Sequence, residues 1–165
     1  MSLCNLWMTR RAAVLGSLMA CASTTALAET ASLPVPSSLP EALALALKSG
    51  NPLVILASLE GCPFCKIARE NYLSPLQINP DNFIVQLNMR SQQTVVGFDG
   101  LSHSHDQLLK SWGIKVAPTV LFVGLSGKEI AERLVGGYLP DFYGAYLDER
   151  LNVARAVLSK AGAAR

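Results

Sequence analysis

Two cysteines separated by two residues, Cys62 and Cys65 in Gly61-Cys62-Pro63-Phe64-Cys65, carry the most direct chemistry in this sequence. A sulfur pair at this spacing passes two electrons to or from a disulfide: one sulfur attacks, and the other resolves the mixed disulfide that forms. The apolar run at residues 53–57 ends just before the pair and helix-forming residues 66–70 follow it, so the pair is expected at a strand-to-helix junction. Pro63 suits the first helical position, where no amide hydrogen is missed, and this makes Cys62 the N-cap. A sulfur there faces unpaired backbone amides and the positive end of the helix dipole, which favour thiolate over thiol. Cys65, one turn further in, is placed to resolve, and Glu60 is the nearest candidate base. The same two cysteines would also serve as half of a zinc site, with His103 or His105 as further ligands. Cys4 and Cys21 lie far upstream, so no metal is expected, and a metal-binding or metallochaperone module stands as an alternative.

The elements that must position this pair follow from periodicity and punctuation. Ser38-Leu39-Pro40-Glu41 opens a helix that stops at Gly50-Asn51-Pro52. Residues 53–59 form an almost continuous apolar run, the pattern of a central strand covered on both faces. The dithiol helix is expected to run to about Tyr72 and to end before Ser74-Pro75. Residues 83–88 read as a second core strand. Residues 89–103 read as an irregular insertion near the sheet rim, with a short edge strand at 94–98 and a turn at Asp99-Gly100, placed to help choose substrates. Ser104 with Gln107 has the form of a capping box. His105 falls in the first turn of that helix and His103 just outside it, and both are read as surface residues. Pro118 precedes an apolar strand and should start it rather than sit inside it. Residues 129–135 are its antiparallel partner, and Gly136-Gly137 allows a close backbone approach or a bulge. Pro140-Asp141 begins a long helix in which Phe142, Tyr146, Leu147, Leu151, Ala154 and Leu158 recur at helical spacing and are read as core.

Half of the 165 residues are apolar and 16% are charged, which excludes a disordered chain and fits a single domain with a real core. Residues 1–28 read as an export signal: the Arg10-Arg11 pair, an apolar run at 12–20, and the small-residue end Ala26-Leu27-Ala28. Leu18-Met19-Ala20-Cys21 offers a competing route, a lipoprotein box that would anchor the domain to a membrane through Cys21. Either route leads to an oxidising, periplasmic compartment. Removing residues 1–28 takes two arginines and no acid, which leaves acids and bases in equal number. No basic patch for nucleic acid is legible, nor a cationic clamp for a small anionic thiol. Residues 29–37, rich in Ala, Ser, Thr and Pro, read as a flexible linker, and residues 38–165 as the folded domain, expected as a monomer.

The order helix, strand, dithiol helix, strand, helix, Val-Ala-Pro-Thr strand, hairpin strand, Gly-Gly, helix resembles the thioredoxin-like superfamily over nearly all of residues 38–160. Cys62-Pro63-Phe64-Cys65 and Ala117-Pro118-Thr119, about 55 residues apart, carry the resemblance. It implies an α/β thioredoxin fold, a central mixed β-sheet flanked by helices, and a cis peptide bond between Ala117 and Pro118 beside the dithiol. It also implies a substrate-binding surface of Ala117, Pro118, Pro63 and Phe64. The chain departs from cytosolic thioredoxins in three places: Gly61 stands where they have Trp, Leu56 where they have a buried aspartate, and Gln86 where they have a lysine. Taken with the leader, the resemblance implies an exported protein-disulfide oxidoreductase with no cofactor beyond the redox-active Cys62-Cys65 pair. Its partners would be protein thiols and disulfides and a membrane or periplasmic electron-transfer protein. The middle pair lacks a histidine, so the reading favours a reductase, with an oxidant, an isomerase or a non-catalytic interaction domain as the alternatives.

Overall fold

The computed structural model describes residues 32–137 and 140–163, and its centre is the strand Leu53–Ser58 (β1), in which every residue is buried. Such a strand must be covered on both faces, and the alternation of its side chains shows how. Leu53, Ile55 and Ala57 join a core with Leu39, Leu43 and Ala46 of helix α1 (Leu39–Lys48) and with Leu108 and Leu109 of helix α4 (His105–Ser111). Val54 and Leu56 point the other way, into a core with Leu73, Phe122, Leu147, Leu151 and Ala154. The sheet order is β2-β1-β5-β6, with β2 (Phe83–Asn88) parallel to β1 and with β5 (Thr119–Val123) and β6 (Glu129–Val135) antiparallel to their neighbours. The result is a mixed sheet with helices on both faces, as the sequence implied.

The dithiol helix differs from its expected length. Helix α2 (Pro63–Ile67) passes into a π-helical turn at Ala68–Leu73 and then into α3 (Ser74–Gln77), so the chain stays helical through Pro75. The amide of Ser74 donates to the carbonyl of Arg69, five residues back. This wider turn places Pro75 in the first turn of the next segment, where a missing amide leaves no bond unmade.

Three further expectations change. The strand at 94–98 is not an edge of the main sheet: Thr94–Val96 (β3) and Ser102–Ser104 (β4) form a separate antiparallel pair. Residues 32–37 of the expected linker are attached to the domain. Leu33 is buried, the carbonyl of Pro34 accepts from the Gln86 amide at 2.9 Å, and that of Ser37 from the Val96 amide at 2.9 Å. In the last helix, α5 (Pro140–Ala163), Phe142 is 59% and Tyr146 42% exposed, whereas Tyr143 is buried. With 3.6 residues per turn, the stripe that contains Leu147, Leu151 and Ala154 passes through 143, and 142 and 146 fall to its side. The export signal at 1–28, with Cys4 and Cys21, and residues 29–31 of the linker lie outside the described residues. No helix among the described residues is long and apolar enough to cross a membrane.

Candidate active site

The end of β1 turns into α2 through Gly61, whose φ of +71° is the left-handed conformation a glycine adopts without a Cβ penalty. Cys62 follows in extended geometry as the N-cap, with Pro63 at the start of the helix. Its sulfur accepts the Cys65 amide at 3.2 Å, one of the orphan donors of the helix start. Cys62 is half-buried and Cys65, 1% exposed, lies beneath it; both are free thiols. Burial pushes the Cys65 thiol up to about 11, reinforced by its hydrogen bond with Cys62, while the Leu59 backbone and the Ser58 hydroxyl pull the other way. The two sulfurs are therefore unequal: one reaches solvent and is met by an amide, and the other is held as a buried thiol.

The sheet order decides what flanks the pair, since β5 and β2 lie on opposite sides of β1. On the β5 side the Ala117–Pro118 peptide is cis, Pro118 is buried, and the Ala117 carbonyl lies 4.0 Å from the Cys62 sulfur. The Pro118 carbonyl accepts the Gly136 amide at 2.8 Å. A Cβ on Gly137 would stand 3.3 Å from Phe64 Cβ and 3.4 Å from Pro118 Cγ, so the Gly-Gly pair does permit a close approach. Phe64 is 48% and Val116 46% exposed, which leaves an apolar rim on this side. Pro63 and Phe64 follow Cys62 on the helix, and Ala117 and Pro118 lie across from it on the β5 side.

The β2 side holds what that reading missed. An open pocket of about 860 Å³ begins at Cys62 and is lined by Lys66, Arg69 and Arg90, with Glu60 as its single acid. Lys66 and Arg69 are three residues apart on the dithiol helix and Arg90 follows the end of β2, so nothing in the linear order marks them as neighbours. The sequence reading saw no cationic group beside the dithiol, and the fold brings these three to one pocket. Glu60 lies exposed at this pocket. Ser58, buried at the last position of β1, eases the ionisation of Cys65 less than the Leu59 backbone does, and Leu56, at the position where cytosolic thioredoxins have an aspartate, packs wholly in the core.

His105, read as a surface residue, is fully buried; its Nδ1 accepts the Asn88 amide at 3.2 Å and burial lowers its pKa. The capping box of Ser104 and Gln107 turns the helix start inward and takes His105 with it. His103 lies on β4 and pairs with Asp99 at 2.7 Å. Among the described residues no three His, Cys, Asp or Glu side chains converge, so these histidines do not complete a metal site with the cysteines.

No curated protein matches the chain. Solved structures similar to it include a poplar thioredoxin h, 21% identical, covering 66% of this chain and 85% of that one, with a TM-score of 0.46. Mitochondrial thioredoxin 3 from Saccharomyces cerevisiae is 21% identical, covers 74% and 96%, and has a TM-score of 0.48. Spinach chloroplast thioredoxin f is 18% identical, covers 74% and 96%, and has a TM-score of 0.49. The profile described as a thioredoxin-like domain matches residues 39–150, which run from the first helix into the last. Well over half of the sequence answers to that profile, and the chain belongs to the thioredoxin-like domain family.

Proposed function

We propose that this protein is an exported thiol-disulfide oxidoreductase that reduces protein disulfides. The fold and the Cys62-Cys65 pair support thiol-disulfide exchange in general. The observation that carries the assignment of roles is the inequality of the sulfurs: Cys62 is accessible and accepts a backbone amide, and Cys65 is a buried thiol beneath it. Cys62 as thiolate attacks one sulfur of the substrate disulfide, forming a mixed disulfide and releasing the other substrate sulfur as a thiolate, which takes up a proton. Cys65 loses its proton and attacks Cys62, releasing the second substrate thiol and leaving the Cys62-Cys65 disulfide. Two electrons have passed to the substrate, and an external dithiol must return them. Glu60, at the pocket mouth, and Ser58, beside Cys65, are the candidates for assisting that proton's departure. Phe64, Pro63, Ala117 and Pro118 supply the surface on which a substrate backbone lies beside the attacking sulfur.

The sequence of residues 1–28 supports export to the periplasm after cleavage behind Ala28, with acylation at Cys21 as the alternative anchor. The electron donor would then be a membrane or periplasmic dithiol protein, and the domain acts as a monomer. In an insulin-reduction assay the protein with a dithiol donor turns over, Cys62→Ser falls to background, and Cys65→Ser accumulates mixed disulfides on Cys62. Equal rates for the two variants and the native protein would overturn the assignment. Equilibration against thiol buffers reads the direction: a potential near the oxidising end of the family's range, about −120 mV, would mark an oxidant instead.

A further inference from the structure

We propose that the pocket on the β2 side of Cys62 is a subsite for carboxylate groups flanking the scissile disulfide, which makes acidic disulfides the preferred substrate class. The inference rests on Cys62 being the attacking sulfur. Three cations, Lys66, Arg69 and Arg90, and one acid, Glu60, line a volume of about 860 Å³ that begins at that sulfur, a size suited to a small-molecule or short-peptide moiety. The polarity of the floor is fixed by a relay of hydrogen bonds. Arg69 can only donate, and its Nη1 donates to Gln86 Oε1 at 3.1 Å. Gln86 must then turn its nitrogen outward, and Nε2 donates to Asn88 Oδ1 at 2.7 Å. That leaves the Asn88 side-chain nitrogen as a donor beside the guanidinium of Arg69. Lys66 makes no ion pair among the described residues. Arg90 sits at the rim with φ of +60°, a conformation that costs a side-chain-bearing residue energy, and Asp106 Oδ1 fixes it by accepting its backbone amide at 3.1 Å. Asp106 is paired chiefly with Lys110, at 2.6 Å, and interacts more weakly with the Arg90 charge.

The chemistry sharpens the test. A thiolate is negative, so a free dithiol reacts more slowly with a dianionic disulfide than with a dicationic one. A subsite of this kind reverses that order. The pre-reduced full-length chain is mixed in single turnover with 3,3′-dithiodipropionate, 2-hydroxyethyl disulfide or cystamine, each of which gains two electrons and two protons and becomes two thiols as Cys62-Cys65 closes. The expected order is dianion, neutral, dication. In Lys66→Gln/Arg90→Gln the ratio of dianion to dication falls about fivefold to twentyfold, roughly two- to fivefold for each exposed cation, and in Lys160→Gln it does not change. The free-dithiol order, or a ratio indifferent to the double variant, would overturn the proposal.

A cystine-linked peptide with glutamates beside each sulfur, compared with its glutamine version, tells the sources apart. A glutamate preference assigns protein segments, and a preference confined to dithiodipropionate assigns a small carboxylate thiol. The rate of Cys62 alkylation by iodoacetate relative to iodoacetamide reads the same field without any disulfide. If no disulfide is reduced but this ratio drops in the double variant, the oxidoreductase reading falls and the anion subsite stands. If reduction proceeds and neither ratio responds, the subsite alone is wrong.

Discussion

The chemistry of this site is a matter of two neighbouring sulfurs in unlike surroundings. Cys65 is held as a thiol by burial, its pKa raised from the ordinary 9.0 to about 11, and the Ser58 hydroxyl is one of the few groups that ease its ionisation. Ser58→Ala removes the weaker of the two groups that ease this ionisation, after the Leu59 backbone, an effect of about 0.5 to 1 kcal/mol or roughly two- to fivefold in rate. The decay of the mixed disulfide on Cys62, followed in stopped flow, should slow by that factor while the attack step keeps its rate. The same shift links stability to pH. Below pH 9 Cys65 is protonated in both folded and unfolded chains and its preference for the folded state is fully present. Between pH 9 and about 11 the unfolded chain ionises first, and the reduced protein loses on the order of 2 to 3 kcal/mol of stability. Urea unfolding of the reduced protein across that window should show this loss, and the Cys62-Cys65 disulfide form, which has no Cys65 thiol to titrate, should lack it. Burial, reinforced by the Cys65 and Tyr72 charges, also raises the pKa of Tyr143, so a further loss is expected above pH 10 in both forms, smaller in the disulfide form, which lacks the Cys65 thiolate.

At the level of elements, two helix starts do the positioning. The first presents Cys62, and the close approach of Gly137 to Phe64 and Pro118 packs the β5 side beneath its exposed apolar rim. Gly137→Val adds branched bulk where even a Cβ would lie at 3.3 Å, so insulin reduction should fall several-fold with little change in the reduction of a small disulfide. The second helix start, at Ser104, carries a complete capping box and leads His105 into the core against Asn88. Ser104→Ala should cost about 1 kcal/mol in denaturant unfolding.

Across the whole molecule, the last helix is tied to the turns that precede both parallel strands. Arg155 donates to Asn51 at 2.8 Å, ahead of β1, and to Asn82 at 2.9 Å, ahead of β2. Arg155→Leu keeps the stem and loses both bonds, and thermal unfolding should show a loss of about 1 to 3 kcal/mol, with thiol-disulfide exchange intact in the protein that remains folded. How much of this was legible in sequence depends on the range of the interaction. Residues 53–57 announced a central strand because five adjacent apolar side chains all need burial, and Pro63 after Cys62 announced a helix start because φ and the missing amide allow little else. Those are local constraints, and the linear order of elements sufficed for the fold. Pro75 misled because a π-helical turn changes the register ahead of it. Phe142 and Tyr146 misled because periodicity identifies a stripe but not its rotation within a residue, and Tyr143 took the inner place. The cationic pocket was invisible for a different reason: Arg90 lies 21 residues along the chain from Arg69, as the numbering of the sequence gives, and only the parallel pairing of β1 with β2 brings the ends of those strands together. The sequence by itself determined the dithiol, the start of its helix and the order of the core elements along the chain. Tertiary structure alone decided the charge beside the sulfur, because the field at a point in space sums over neighbours that strand pairing selects.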